Sequence, residues 1–230
     1  MIENKKILSL IPAHNESTRI GAVIDAVREY LPVLVVDDGS TDDTAEVARQ
    51  HGAMVVRQEP NQGKGAALLN GFGHFLAGDY DAVITLDADG QHDPAEIPLF
   101  VDKFQQEYSD LIIGQRNFRQ MPFPRNFSNT IGTWMLSNAM GQYIPDNQSG
   151  YRLHSRRMVE SVINSQEHGF EFEVEIIFVC VLQGFKLAWV PIRTIYAGQA
   201  SHIKPLRHIK QFFRITRRAR ELMRAKKNTQ

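Results

Sequence analysis

Cysteine is nearly absent from this sequence of 230 residues, which contains only Cys180. A single cysteine cannot form a disulfide bond within the chain, so small secreted folds that depend on disulfides are excluded. Cys180 lies in the apolar run from Ile176 to Leu182. Because free thiols in such runs usually pack into a core, we expect Cys180 to be buried and unreactive, in a protein of the reducing cytoplasm.

Long apolar runs are also absent. No stretch approaches the ~20 apolar residues that a helix needs to cross a bilayer, so we expect no transmembrane helix. The first apolar run, from Ile7 to Ile11, ends at Pro12 and is too short for the hydrophobic part of a signal peptide. Both absences favour a cytoplasmic protein, for which any membrane contact would be peripheral, on the inner face.

The net charge is zero, but the charges are unevenly distributed along the chain. From Lys204 onward, ten Lys and Arg residues accompany one acid, Glu221, whereas the rest of the chain has 16 basic and 25 acidic residues. A basic tail of this kind predicts contact with an anionic partner. Its apolar and small residues share one helical face; they are Ile209, Phe212, Phe213, Thr216, Ala219 and Met223.

This basic arm, residues 206–230, has two interpretations. It is either an amphipathic helix that lies on an anionic membrane, or a helix that docks on the core with its basic side chains in water. Nucleic-acid binding would need base-stacking aromatics or a recognisable module. Neither is visible, so we expect no nucleic acid partner.

Short apolar runs alternate with helical patterns over the first ~115 residues, which predicts an α/β fold with a Rossmann-like, mostly parallel sheet flanked by helices. Ser17 or Thr18 is the expected N-cap of the first helix, and Asp42 and Asp43 should lie in the first turn of the second. The predicted strands are 7–11, 33–36, 53–56, 82–86 and 111–114, and the predicted helices are 17–30, 41–50, 65–77 and one from Pro94.

The pattern is looser after Arg116. We expect a loop, a helix over 127–140 and a short strand within 148–153. Helices over about 155–164 and 171–183 and a strand over 187–190 should follow. No repeat or internal boundary is visible, so residues 1–205 are predicted to form one domain, to which the basic arm is appended.

Two aspartates, Asp87 and Asp89, follow the fourth predicted strand. Their side chains leave the strand on the same face, so together they can bind one hard divalent cation. Such a cation can bridge the phosphates of a nucleotide and neutralise a departing diphosphate. The simpler alternative is an acidic loop before a helix whose first residue is Pro94.

Two other nucleotide-binding patterns are excluded. Gly63-Lys64-Gly65 has Leu68 where a dinucleotide fingerprint needs its third glycine. The same stretch lacks the first glycine of a P-loop and the Ser or Thr after its lysine. Dinucleotide enzymes and P-loop nucleotidases are therefore disfavoured.

Polar segments follow several of the predicted strands, at the edge of the sheet where α/β proteins bind ligands. They are Ile11-Pro12-Ala13-His14-Asn15-Glu16, Val36-Asp37-Asp38-Gly39-Ser40-Thr41, Asn61-Gln62-Gly63-Lys64-Gly65 and the Asp87 and Asp89 loop; a further polar segment, Asp146-Asn147-Gln148-Ser149-Gly150-Tyr151-Arg152, comes after the helix predicted over 127–140. In this order and spacing, over roughly residues 5–205, they resemble the inverting family 2 glycosyltransferases of the GT-A fold. Within that family the resemblance is strongest to dolichyl- and polyprenyl-phosphate sugar synthases.

The resemblance implies a nucleotide-sugar site. Asp38 would accept hydrogen bonds from the nucleobase, Gly65 would let the backbone approach the ligand, and Lys64 would add a positive charge. Mg²⁺ or Mn²⁺ would be held by Asp87, Asp89 and Gln91, without His92, because these ions prefer oxygen ligands. The implied donor-binding residues are Pro12, Ala13, Asn15, Glu16, Asp38, Gly39, Lys64, Gly65, Asp87, Ala88, Asp89 and Gln148.

The resemblance also implies an acceptor site, because arginines at these positions bind the acceptor phosphate in the lipid-phosphate enzymes. Its residues would be Arg116, Arg125, Ser128 and Asn129. Asp89, Arg116, Arg125 and Arg152 would form the catalytic set, in which Arg152 would face the diphosphate or the acceptor phosphate. If the acceptor is a hydroxyl rather than a phosphate, a general base is needed, and Asp146, Glu171 and Glu173 are the candidates.

The function so implied is metal-dependent, inverting transfer of a sugar from a UDP- or GDP-linked donor to a polyprenyl or dolichyl phosphate. Many relatives carry C-terminal transmembrane helices, whereas here the basic arm or a membrane partner protein would supply the membrane contact. Three alternatives stay open. They are transfer to a soluble or glycan hydroxyl, a sugar-1-phosphate nucleotidyltransferase, and a non-catalytic nucleotide-sugar sensor.

Overall fold

The structure is a computed structural model that describes residues 5–118, 125–169, 171–193 and 195, together with 214, 216, 217, 220, 221 and 223. Residues 125–129 are described by their backbone alone. The strands are β1 Ile7–Ala13, β2 Val33–Asp38, β3 Met54–Gln58, β4 Ala82–Thr85, β5 Leu111–Arg116, β6 Arg152–Ser155 and β7 Leu187–Ile192. The helices are α1 Ile20–Arg28, α2 Thr44–Gln50, α3 Lys64–Ala77, α4 Ile97–Glu107, α5 Arg125–Met140, α6 Arg156–Val162 and α7 Glu171–Gln183, with a 3₁₀ turn at Pro94–Glu96.

The strands form one seven-stranded sheet in the order β3-β2-β1-β4-β6-β5-β7. All neighbours run parallel except β6, which is antiparallel to both β4 and β5. Apolar side chains leave β1 on both faces of the sheet: Leu8 and Leu10 pack into one core cluster, and Ile7 and Ile11 into the other. The predicted α/β architecture, with helices covering both sides of a mostly parallel sheet, is confirmed.

Helices α1 and α2 both begin three residues later than the sequence predicts, for a shared reason. The backbone N–H of Ser17 donates to Asp42 Oδ2 (3.2 Å) and that of Thr41 donates to Asn15 Oδ1 (2.8 Å). These cross-loop bonds hold the residues before each helix in a loop conformation. Ser17 and Thr18 are therefore not N-caps, and α1 follows Arg19 without a side-chain cap.

The second half of the sheet differs from the prediction mainly at strand ends. The short strand expected within 148–153 is β6, Arg152–Ser155, and β5 continues two residues past Gly114 to Arg116. Cys180 is fully buried, as predicted. Among the described residues, no helix combines the length and the apolarity that a membrane crossing requires.

Most of the basic arm lies outside the described residues. Of those described, Thr216 is buried and Met223 packs against the core. Arg214 Nη2 lies 2.6 Å from Glu167 Oε2, whereas the Arg217 side chain is 82% exposed. These contacts are those of a docked segment, and the membrane interpretation of the arm remains a prediction.

Candidate functional site

The carboxyl ends of β1, β2 and β4 lie side by side at one edge of the sheet, because these strands are parallel neighbours. Strand β6 runs the opposite way and pairs Arg152 with Thr85. The loop that precedes β6 therefore arrives at the same edge, and the Thr85 hydroxyl donates to the Gly150 carbonyl (2.9 Å). One antiparallel strand thus brings residues 146–151 to loops that lie far earlier in the chain.

The first two loops are joined by direct hydrogen bonds. The Asn15 backbone N–H donates to Ser40 Oγ (2.9 Å), and its side-chain oxygen accepts from Thr41 N–H. Asn15 adopts a left-handed backbone with φ of 56°, which Asn tolerates better than most residues. Beside it, Ala13 is buried at the end of β1, and the Glu16 carboxylate pairs with Arg19 at 2.8 Å. Of the expected donor-binding residues at the end of β1, Asn15 therefore joins the first two loops.

Asp38 is buried and binds the loop before α3. Its Oδ1 accepts from Gln58 Nε2 (2.7 Å) and Gln62 N–H (2.8 Å), and its Oδ2 accepts from Gly63 N–H (2.8 Å). A carboxylate has about four acceptor positions, so one position on Oδ2 is left for a ligand. Gly39 allows the loop before α3 to pack this closely, because a Cβ on it would lie 2.7 Å from the Asn61 backbone nitrogen.

Lys64 and Asp87 form the ion pair at the centre of the site. Lys64 Nζ lies 2.6 Å from Asp87 Oδ1 and 3.2 Å from Glu173 Oε1. Burial opposes ionisation of Asp87, but the Lys64 ammonium outweighs it and, with His92, lowers the pKa of Asp87 to about 2. Burial likewise disfavours the ammonium, yet Asp87 and Glu173 together raise the pKa of Lys64. Both groups are therefore charged at neutral pH.

Gly150 packs directly against the Lys64 and Asp87 ion pair. A Cβ on Gly150 would lie 2.8 Å from both Lys64 Nζ and Asp87 Oδ2. The sequence pattern places Gly150 only between Gln148 and Arg152, and nothing in the sequence indicates that it contacts Lys64. Gly65 departs from its expected role, because a Cβ on it would meet the backbone of His168 and Gly169 at 2.6 Å. Gly65 therefore allows a close approach to the protein's own backbone, whereas the expected approach was to the ligand.

His92 is a buried residue that positions Asp87. Its Nδ1 accepts a hydrogen bond from the Asp87 backbone N–H (3.1 Å), so the neutral ring carries its proton on Nε2, 3.9 Å from Asp87 Oδ2. Burial lowers the pKa of His92 to about 4, which keeps the ring neutral at pH 7. With Nδ1 accepting this bond and Nε2 protonated, the neutral ring presents no lone pair to a metal ion.

Asp89 lies two residues beyond Asp87 and accepts a hydrogen bond from Gln91 N–H at Oδ1 (2.9 Å). Burial raises the pKa of Asp89, and the nearby negative charges of Asp87 and Glu16 raise it further. Among the described residues, no group of three or more His, Cys, Asp or Glu side chains forms a ready metal site. Two carboxylates nevertheless suit Mg²⁺ or Mn²⁺, since such ions complete their coordination with water and substrate phosphates.

Arg116, which is partly buried, forms an ion pair with the fully buried Asp146 at the end of β5. Asp146 Oδ2 accepts from Arg116 Nε (2.7 Å) and from its backbone N–H (3.2 Å). Asp146 Oδ1 accepts from Arg116 Nη2 (2.9 Å) and from Gln148 N–H (3.0 Å). All four acceptor positions of this fully buried carboxylate are therefore occupied. Because these bonds leave no acceptor position for the proton of a hydroxyl, the contacts argue against the prediction that Asp146 is a general base.

Arg152 also departs from its expected position. Its side chain is buried, with Nε donating to the Ser149 carbonyl (2.7 Å) and Nη2 to the Asn147 carbonyl (3.3 Å). Nη1 donates to the carbonyl of Glu173, in the first turn of α7. Arg152 thus joins the 147–149 loop to α7 rather than facing a phosphate.

The remaining candidates lie around this centre. The side chain of Gln148 is exposed, and Glu173 is buried against Lys64. Glu171 Oε1 lies 4.0 Å from Arg214 Nη2, which makes it a partner of the arm. Arg125, Ser128 and Asn129 fall in the first turns of α5, and their side chains lie outside the described part of the chain.

Similarity to known proteins agrees with this arrangement. Polyprenol monophosphomannose synthase of Mycolicibacterium smegmatis is 30% identical over 208 residues, covering 82% of this chain and 77% of that protein. UDP-N-acetylglucosamine–dolichyl-phosphate N-acetylglucosaminyltransferase of Methanococcus voltae is 26% identical over 219 residues, covering 84% and 87%.

The fold is that of solved GT-A enzymes. Glucosyl-3-phosphoglycerate synthase from Mycobacterium tuberculosis, crystallised with Mn²⁺, UDP and phosphoglyceric acid, superposes with a TM-score of 0.71 at 22% identity. The match covers 95% of this chain and 77% of that one. Residues 10–166, which include the loops after β1, β2 and β4 and the loop before β6, match the model of glycosyl transferase family 2. The chain is therefore a member of glycosyl transferase family 2 with the GT-A fold.

Proposed function

We propose that this protein transfers a sugar, with inversion, from a nucleoside diphosphate donor to a polyprenyl or dolichyl phosphate. The observation that carries the proposal is the convergence of Lys64, Asp87 and Asp89 at the sheet edge where Arg116 ends β5. Such a site offers charge of both signs, as a diphosphate leaving group and its counter-ion require. The two relatives named above are, by their names, enzymes that act on lipid phosphates.

On this proposal the donor lies across the ends of β1, β2 and β4. The open acceptor position of Asp38 Oδ2 would meet the nucleobase, and Asp87, Asp89 and Gln91 would hold Mg²⁺ or Mn²⁺. When bound, this ion would neutralise charge on the departing diphosphate. Lys64, which already lies against Asp87, would bind the same diphosphate.

The acceptor is proposed to be a phosphate because a hydroxyl acceptor needs a general base. The acceptor positions of Asp146, one of the predicted bases, are already occupied. A phosphate monoester has a second pKa of about 6, so it is mostly dianionic at pH 7 and can attack without a protein base. Arg116, with Arg125, Ser128 and Asn129 on α5, would position it. Glu171 and Glu173 are the predicted bases that remain for a hydroxyl acceptor.

Apolar side chains near the proposed acceptor site support a lipid acceptor. Ile131 and Trp134, one helical turn apart on α5, are 42% and 67% exposed, and Tyr143 just beyond the helix is 76% exposed. Exposed Trp and Tyr are typical of protein surfaces at the membrane boundary. The 1–205 domain with an arm at 206–230 is part of this proposal, in which the arm adds basic charge to a peripheral membrane contact.

The deciding experiment measures free nucleoside diphosphate released from UDP- and GDP-sugars, with Mn²⁺ present or chelated. Three acceptor arms are compared: polyprenyl phosphate, phosphoglycerate and a sugar without a phosphate. We expect metal-dependent release with polyprenyl phosphate and a product of inverted anomeric configuration by NMR. Release only with the unphosphorylated sugar would overturn the phosphate acceptor. Pyrophosphate release would indicate a nucleotidyltransferase, and binding without turnover would indicate a sensor.

A further inference from the structure

We propose that Lys64 is the internal counter-ion of the donor site, which holds Asp87 in the free protein and transfers to the diphosphate when metal and donor bind. The inference rests on the proposed function, because it names Lys64 as the residue that couples binding of the metal to binding of the nucleotide. It makes Lys64 a competitor of the metal in the absence of nucleotide, and a partner of the metal in its presence.

The backbone of the first turn of α3 is held in place, whereas the ammonium group of Lys64 can move. Lys64 is the first residue of α3, and this turn is held because the Ala66 N–H donates to the His168 carbonyl (3.1 Å). Gly65 packs so closely on the same backbone that the turn has no room to shift. The flexible four-carbon stem of Lys64 can nevertheless swing its compact ammonium between neighbouring oxygens.

The carboxylate oxygens of Asp87 attract both the Lys64 ammonium and the divalent metal ion. Lys64 Nζ contacts Asp87 Oδ1 at 2.6 Å, and Asp87 is one of the two carboxylates that would hold the metal. Gly150 packs against both Lys64 Nζ and Asp87 Oδ2, and a divalent ion on Asp87 would lie beside the ammonium and repel it. Metal binding therefore has to weaken the contact between Lys64 and Asp87.

Glu173 gives the displaced ammonium a partner. Its Oε1 lies 3.2 Å from Lys64 Nζ, and its carboxylate is held at the start of α7, where Arg152 binds the Glu173 carbonyl. With a diphosphate present, the ammonium would bridge Glu173 and the phosphate oxygens. Metal and nucleotide should then favour each other's binding through Lys64, and this coupling must be reciprocal.

The test uses Mn²⁺ binding followed by electron paramagnetic resonance, with no sugar donor and no turnover. Wild type, Lys64→Met and Lys64→Gln are titrated alone and with UDP or GDP. Lys103→Met is the matched control, because Lys103 pairs with Glu107 on α4 at the same 2.6 Å distance. Lys64→Gln keeps a hydrogen-bonding side chain between Asp87 and Glu173, so it serves if the methionine variant does not fold.

We expect both neutral variants to bind Mn²⁺ more tightly than wild type without nucleotide, on the order of five- to ten-fold, which is a usual size for coupled sites. We also expect both to lose most of the increase in Mn²⁺ affinity that nucleotide produces in wild type. Unchanged or weaker Mn²⁺ binding in a folded variant would overturn the inference, even if the wild type transfers a sugar. Absence of Mn²⁺ binding in all proteins would overturn it together with the metal-dependent function.

Discussion

Asp146 and Asp87 are carboxylates of the same sheet edge, but they are satisfied in different ways. Asp146 is fully buried, and four N–H groups from Arg116 and Gln148 fill its acceptor positions. Asp87 is partly exposed and is paired chiefly with one lysine side chain, Lys64. The difference teaches that burial with rigid partners makes a carboxylate structural, whereas a replaceable partner leaves it available for a ligand. The predictions below test this contrast.

The largest expected effect is on stability, at Asp146. Asp146→Ala leaves the mostly buried Arg116 guanidinium without its partner, which costs about 3–5 kcal/mol of unfolding free energy in comparable buried pairs. Denaturant unfolding measures this loss. The double variant Arg116→Met with Asp146→Leu should recover most of it. A single variant within about 0.5 kcal/mol of wild type would show that the pair is not structural.

The second prediction concerns Asp89, whose carboxylate should serve catalysis at the expense of stability. Asp89→Asn is expected to lower sugar transfer by about 10²–10³, the loss typical of a removed electrostatic stabiliser. Because burial, Asp87 and Glu16 raise the pKa of Asp89, its charged form is disfavoured in the folded protein. The neutral variant should therefore unfold at an equal or higher temperature without metal. A less stable variant with full activity would reverse the assignment.

The third prediction compares two glycines of α3. Gly65→Ala places a Cβ 2.6 Å from the Gly169 carbonyl oxygen, whereas nothing lies within 4 Å of a Cβ on Gly73. We expect Gly65→Ala to cost about 1–3 kcal/mol and to weaken nucleotide binding through the displaced Lys64. Gly73→Ala should stabilise the helix by about 0.5–1 kcal/mol. Equal effects of the two changes on unfolding would contradict the packing described for Gly65.

The last prediction concerns the pH dependence of stability. Burial lowers the pKa of His154 to about 3 and that of His92 to about 4, against an ordinary value of 6.5. The unfolded chain takes up these protons below pH 6.5 and the folded protein does not. Stability should therefore be complete above pH 6.5 and decline as the pH falls towards 4, by about 1.4 kcal/mol per pH unit for each histidine.

The variant His154→Leu isolates one of these contributions. His154 Nδ1 has no hydrogen-bond partner in the described structure, and the ring packs edge-on against Phe72. A leucine can keep the apolar contact without a titrating group. Unfolding free energies measured between pH 7 and 4.5 should fall less steeply in the variant. The difference should be the contribution of one histidine, about 1.4 kcal/mol per pH unit. Parallel curves for the two proteins would refute the pKa of His154.

Much of the fold was predictable because it depends on local patterns. Buried parallel strands such as Val33–Asp38 are continuous apolar runs that end in polar residues, and both features are visible in the sequence. Helix starts were less predictable, since Ser17 and Thr41 form bonds to a loop that is distant in sequence. The site was predictable as a set of loops, but the partners of each residue were not.

Residue types and their spacing alone determined the α/β alternation, the Asp87 and Asp89 pair and the family to which the chain belongs. The tertiary structure alone decided that Asp146 and Arg152 are buried among fixed partners while Lys64 holds Asp87. The physical reason is that hydrogen bonds and burial depend on which distant segments meet. The antiparallel strand β6 brings Gly150 to Asp87 and Lys64, and no local sequence pattern indicates that contact.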